Sequence, residues 1–121
     1  MARYVDGFVI PMQKRKVKEY LVHAKMGAKL WKEHGALGYT ECVGEDLKIP
    51  YGLGFPRMAR LKAGETVVFS YITYRSRAHR DKVNASVMKD PRMNEMMKEG
   101  EPMPFDIKRF AMGGFEVLVE W

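Results

Sequence analysis

The tract ETVVFSYITYRSRAHRDKVNASVMKDPRMNEMM, residues 65–97, runs a strand directly into two capped helices and limits the possible architectures more than any other stretch of the chain. Residues 66–74 are β-branched and aromatic, a composition suited to a pleated, half-buried surface. Ser76 is a natural N-cap, and Asp90 with Pro91 supplies a second cap with proline at the first helical position. His79 falls just inside the first of these helices. No motif in the tract names a reaction.

Upstream, residues 3–10 read as a strand with both faces largely apolar: Tyr4, Phe8 and Ile10 on one side, Val5, Gly7 and Val9 on the other. Residues 14–34 give the clearest helix, because Val17, Tyr20, Leu21, Ala24, Ala28 and Trp31 recur at helical spacing and Gly35 follows as a stop. A second strand is expected over 37–44, with Tyr39, Glu41 and Val43 alternating against Thr40 and Cys42. Residues 46–62 carry Pro50, Gly52, Gly54 and Pro56 without periodicity and read as a long loop, a lid or a subunit contact. A break over 100–104 precedes a last strand from about 108 to 120, where Gly113-Gly114 suggests a bulge or bend.

This order predicts a ferredoxin-like α+β sandwich, a βαββαβ chain whose four-stranded antiparallel sheet carries both helices on one face. The later strands put apolar groups on both sides: Val68, Phe69, Tyr71, Ile72, Phe115, Val117, Leu118 and Val119. A sheet with one solvated face should alternate apolar with polar, so the uncovered side is expected to meet a second copy in a two-fold homodimer.

A length of 121 residues, 46% of them hydrophobic, predicts a single domain over 1–121. Its wholly apolar runs fall far short of the roughly 20 residues needed to cross a bilayer. Arg3 and Asp6 stand where a signal peptide needs its apolar stretch, so a cytoplasmic protein is expected. Cys42 is the only cysteine, which excludes an intramolecular disulfide and a cysteine-based zinc cluster within one chain. The net charge of +6 favours contact with anions without specifying one.

The segments YVDGFVIP, WKEHGALGYTECVG, FPR, ETVVFSYITYRSRAHRDKVNASVMKDPRM, MPFD and GGFEVLV, in that order along nearly the whole chain, resemble the YbaA-like family of small bacterial proteins, a domain of unknown function. The resemblance implies a dimeric α/β-barrel fold, related in shape to antibiotic-biosynthesis-type monooxygenases and haem-degrading enzymes. It implies no activity. In those haem-degrading enzymes a polar residue on the first strand, an aromatic on the third and a histidine on the second helix surround the substrate. Asp6, Phe69 or Tyr71, and His79 occupy loosely similar places here, with Asp6 where those enzymes carry an amide.

The residues themselves point to a pocket bounded by Asp6, Tyr71 and His79. His79 shares a helix face with Val83 and Val87, and a helix N-terminus favours neutral imidazole, usable as an acid, a base or a ligand. The alternative is a structural histidine bonded to backbone or carboxylate. Asp6, in a central strand, must be paired, hydrated or beside a cavity, and a salt bridge to an arginine is the expected neutraliser. His23 and His34 lie about 16 Å apart along one helix at 1.5 Å per residue and cannot share a metal. His34 is expected to favour the helix dipole and the last carbonyls, and Cys42 to be a small buried hydrophobe. Gly52-x-Gly54 precedes a strand where a dinucleotide site needs a helix. Met88, Met93, Met96, Met97 and Met103 cluster as adaptable packing or, alternatively, as a plastic ligand pocket.

The favoured function is therefore binding of a small apolar or aromatic molecule between helix and sheet, with no cofactor named by any motif. One alternative is a cofactor-independent monooxygenase-like or isomerase-like enzyme using His79 and Asp6 for proton transfer. Another is weak RNA or anion binding through the helix carrying Lys25, Lys29 and Lys32. That face lacks interleaved aromatics, so specific nucleic-acid binding is not expected.

Overall fold

A computed structural model describes residues 2–98 and 103–121, the side chains of Met97 and Lys98 excepted. Strand β1 (Tyr4–Gln13) leads through a 3-10 turn (Lys14–Lys16) into helix α1 (Val17–Glu33), followed by strand β2 (Gly38–Val43). The single-turn helix α2 (Phe55–Met58), strand β3 (Glu65–Tyr74), helices α3 (Arg77–Lys89) and α4 (Pro91–Lys98), and strand β4 (Ala111–Glu116) complete the order. The strands form one antiparallel sheet in the spatial order β2-β3-β1-β4. This is the ferredoxin-like α+β arrangement, with β1 and β3 at its centre.

The two central strands pair along their whole length, from Tyr4 opposite Tyr74 to Gln13 opposite Glu65. A period of two then sends Asp6, Phe8, Ile10 and Met12, with Thr66, Val68, Ser70, Ile72 and Tyr74, to the helix side. One core cluster joins Ile10, Met12, Val68, Tyr20 and Ala24, with Phe105 and Phe110 packed against it. Another joins Ile72, Tyr74, Val83 and Val87, with Trp31 and Tyr39. Asp6 and Ser70 are buried on this face and interrupt its apolar surface. The expected caps are in place: Ser76 Oγ accepts from the His79 N–H at 3.1 Å, and Asp90 Oδ1 from the Arg92 N–H at 2.9 Å.

The C-terminal strand is shorter than expected. Ile107–Arg109 form a 3-10 turn capped by the Asp106 carboxylate, and beyond Glu116 one further bond, Val117 N–H to Arg3 O at 2.9 Å, extends the ladder. β1 begins at Tyr4, so the residues after Val117 have no strand beside them. Nor do Gly113 and Gly114 form a bulge, since pairing stays one to one from Tyr4–Glu116 to Val9–Ala111. Gly114 instead admits the Tyr4 ring, whose Cε2 would stand 2.7 Å from any Cβ there.

The 46–62 segment is not structureless. Its single turn of helix sets Phe55 edge-on to Phe69, with ring centres 6.5 Å apart, on the sheet face opposite the long helices. A turn follows Gly54 after all, but four residues make no βα crossover, and the dinucleotide reading still fails. The rest of that face leaves Phe69 44% and Phe115 59% exposed. Residues 100–102 of the expected break lie outside the described residues. No helix among the described residues is long and apolar enough to cross a membrane.

Candidate functional site

A cavity of about 360 Å³ lies between the sheet and its cover, within the range of roughly 300–1,000 Å³ usual for small-molecule sites. Its floor comes from Asp6, Phe8 and Ile10 on β1, Tyr39, Thr40 and Glu41 on β2, Ser70 and Ile72 on β3, and Met112 on β4. α1 contributes Tyr20, His23, Ala24, Gly27 and Trp31, and α3 contributes Asn84 and Met88. Met93 and Met96 on α4, then Met103, Phe105, Ile107 and Phe110, line the remaining side. His23, Met96 and Met103 also border a neighbouring hollow of about 290 Å³ that reaches Arg92 and Glu95.

Two polar clusters interrupt these mostly apolar walls. In the first, Glu41 receives the Tyr20 hydroxyl on Oε1 and the Tyr39 hydroxyl on Oε2, both at 2.8 Å. Burial, aided by the Glu41 carboxylate, pushes both phenols far above their ordinary range and keeps them as donors. The glycine at position 27, within α1, leaves space for this arrangement, because a Cβ there would lie 2.7 Å from the Tyr39 hydroxyl.

The second cluster surrounds Asp6, which is only 2% exposed. Arg80 Nη1 lies 3.6 Å from Oδ1, and Asn84 Nδ2 donates a long 3.4 Å bond to Oδ2. Asn84 Oδ1 accepts from Trp31 Nε1 at 3.0 Å and from the Tyr74 hydroxyl at 3.2 Å, which orients the amide with its nitrogen toward Asp6. Arg80 stacks over the Tyr4 ring at 4.9 Å and donates to its hydroxyl at 3.2 Å. Burial and the nearby Asp6 charge raise the Tyr74 phenol well above its ordinary value. The expected arginine partner of Asp6 is thus Arg80, one turn beyond Ser76.

The three residues expected to share a pocket are not brought together. Asp6 lines the cavity, but Tyr71 belongs to the opposite sheet face, where it packs edge-on to Phe69 at 6.0 Å. Odd positions of β3 point away from the helices, so Tyr71 cannot reach Asp6. His79 is also outside the lining: its Nδ1 accepts the Arg75 N–H at 3.0 Å, and its ring meets the Tyr74 ring edge-on at 5.9 Å. The local turn at the start of α3 occupies the imidazole, which corrects the expectation of a pocket histidine. His23 is the histidine on the cavity wall.

Other expectations change as well. His34 bonds Asp90 Oδ2 at 2.9 Å, tying the end of α1 to the start of α4, and Cys42 is exposed because β2 is an edge strand with its back face uncovered. Arg92, and then His34, hold the Asp90 carboxyl far below the ordinary carboxylate range. Met88, Met93, Met96 and Met103 do line the cavity, while the Met97 side chain lies outside the description. Lys25, Lys29 and Lys32 are exposed. No group of three or more His, Cys, Asp or Glu suited to a metal ion occurs among the described residues.

Sequence reasoning missed both polar clusters, that of Glu41 with Tyr20 and Tyr39 and that of Asn84 with Trp31 beside Asp6. A signal was present for Glu41, a charge in register with Tyr39 and Val43 on the inward face of β2.

A family model described as "Protein of unknown function (DUF1428)" matches residues 3–107. The chain is 42% identical over 118 residues, 98% of each protein, to the uncharacterized protein YbaA of Escherichia coli K12, and to the same degree to that of Shigella flexneri. Among solved structures it is similar to a dimeric ferredoxin-like protein from an uncultured marine organism, with a TM-score of 0.62, 12% identity and full coverage of both chains. At that identity the likeness concerns the fold alone. The span of the family match and the identity to YbaA agree: the chain belongs to the DUF1428 family.

Proposed function

We propose that the chain is a cytoplasmic homodimer that binds a small molecule with an apolar or aromatic body in the cavity between sheet and helices. The observation that carries this reading is the cavity itself, about 360 Å³ and walled by Phe8, Trp31, Phe105, Phe110 and five methionines around a few buried polar groups. Unbranched methionines fit ligands of more than one shape, and few convergent polar groups in an apolar hollow are the usual make-up of a small-molecule site. An enzymatic role through His79 and Asp6 loses its geometric support, because the imidazole lies off the cavity wall.

Half-exposed Phe69 and Phe115 support pairing of two copies through the back of the sheet, and the marine structural neighbour is described as dimeric. A lone exposed thiol suits a reducing cytoplasm. Native mass spectrometry of gently purified protein, followed by NMR titration with ethylbenzene, tests the binding reading. The expected result is a dimer carrying a small adduct, or saturable shifts confined to cavity residues such as Ala24 and Ile72. An adduct-free protein with no saturable shift at the solubility limit of ethylbenzene overturns it.

A further inference from the structure

We infer that the molecule held in this cavity is a cation, an organic amine whose ammonium group rests on Ser70 and Glu41 among aromatic rings; the inference rests on the ligand-binding reading above. Phe8, Ser70 and Glu41 stand directly opposite one another on β1, β3 and β2, so they form one row across the cavity floor. Directly opposite residues have Cβ atoms roughly 5 Å apart, which places the Ser70 side chain beside that of Glu41. Ser70 is 5% exposed and lines the cavity, and its hydroxyl has no hydrogen-bond partner among the described residues. Glu41 receives two bonds, both from phenols, and no basic side chain among the described residues forms an ion pair with it. Burial keeps Tyr20 and Tyr39 protonated and neutral, so these three side chains together carry one negative charge. A part-buried charge whose only partners are neutral donors favours an ion of opposite sign.

The rest of the wall points the same way. Trp31 and Tyr39 have ring centres 6.2 Å apart, and Tyr20 meets Phe105 edge-on at 6.0 Å. Phe105 stacks on Phe110 at 5.5 Å, and Phe110 leans on Phe8 at 5.8 Å. Aromatic faces attract ammonium groups, most strongly where water is excluded. The other polar groups supply no charge for an anion. Asp6 is balanced by Arg80 at 3.6 Å, and the Asn84 amide is engaged by Asp6, Trp31 and Tyr74. Thr40 pairs with Tyr71, so its side chain belongs to the opposite sheet face. No lysine or arginine is among the described lining residues, and His23 stands at the border with the adjoining hollow, whose Arg92 is bound by Asp90 and Glu33. A carboxylate or phosphate ligand would meet Glu41 with no free guanidinium or ammonium to hold it.

Isothermal titration of the intact protein at about pH 8 with 2-phenylethylamine, 2-phenylethanol, phenylacetate and ethylbenzene tests this, since the four share a ring and differ at one end. At that pH an alkylamine keeps its proton, whereas an ordinary imidazole has lost its own. The amine should bind roughly tenfold or more tighter than the alcohol and the hydrocarbon, with phenylacetate weakest. Glu41→Gln should remove most of that advantage while leaving ethylbenzene binding intact, and Ser70→Ala should reduce it severalfold. Should Glu41→Gln fail to fold, the wild-type series and Ser70→Ala still decide. Alcohol or hydrocarbon binding as tightly as the amine overturns the inference but leaves the cavity reading standing. So does phenylacetate binding as tightly as the amine, or an advantage that either variant leaves whole. Failure of all four probes overturns the cavity reading, and the inference with it.

Discussion

At the scale of single residues, Gly27 illustrates how a position unfavourable to its own helix is retained by a contact outside it. Alanine there should favour the helix by about 1 kcal/mol, but its Cβ would lie 2.7 Å from the Tyr39 hydroxyl and push that group off Glu41. Loss of a hydrogen bond to a charged acceptor costs about 1.5–3 kcal/mol, so Gly27→Ala should be destabilising by about 1 kcal/mol. In a Tyr39→Phe background the clash is gone, and the same substitution should become stabilising; a chemical-denaturation cycle reads the reversal. Equal effects in both backgrounds would show that Tyr39 does not set the requirement for glycine. The phenols give a second measurement. Tyr20, Tyr39 and Tyr74 have folded values raised above the ordinary 10.0, so the folded state holds protons that the unfolded chain releases. Their contribution to stability is complete below about pH 10 and declines as the pH rises further. Phenolate absorbance from these side chains should therefore grow in only as the protein unfolds in alkali, and smooth titration of every tyrosine before unfolding would contradict the buried geometry.

At the scale of elements, the cavity depends on how its cover is tied down. Arg109 grips Glu65 through two bonds, 2.7 Å to Oε2 and 2.8 Å to Oε1, and donates to the Arg60 carbonyl at 3.0 Å. One guanidinium thereby joins the segment bearing Phe105 and Phe110 to the start of β3. The Arg109 hydrogen bond lowers the Glu65 carboxyl from 4.5 to about 2. A depressed carboxylate contributes stability above its unfolded value that is lost as protons bind, so the window of loss runs downward from 4.5 to about 2. Glu65→Gln should melt lower at neutral pH yet lose less further stability through that window, in thermal melts compared at matched ionic strength. If both proteins lose stability in parallel there, the clamp is not what titrates. Sequence periodicity was enough for the long elements, because β3, α1 and α3 carry apolar positions at spacings that only one structure satisfies. It failed where tertiary contact decides. The end of β4 depends on where β1 begins, the turn at Phe55 on the Phe69 ring beneath it, and the place of His79 on a bond to Arg75. For the site, burial of Asp6 and its pairing with an arginine were legible from a carboxylate in a central strand. The partners of Glu41 were not, because Tyr20 lies 21 positions away on another element.

At the scale of the whole molecule, the sheet has one face committed to the helices and one only partly covered, by the turn at Phe55–Met58. Phe115 is the more exposed of the two half-covered aromatics on that back face, at 59%, and its ring rests over Gly7, whose Cβ position is 3.2 Å from Cε1. Val67 lies on the same face but is 2% exposed, so it is already part of the chain's own interior. This contrast separates assembly from folding more cleanly than substitutions at Val119, which lies past the end of β4 with no strand beside it. Phe115→Glu should keep most of the melting temperature while shifting sedimentation from dimer to monomer at micromolar concentration, because a charge would be buried only when two copies meet. Val67→Glu should unfold the chain itself, since there the charge is buried whether or not a second copy is present. Wild-type protein that sediments as a stable monomer would leave an apolar surface open to water with nothing to account for it, and would remove the argument for a homodimer through this face.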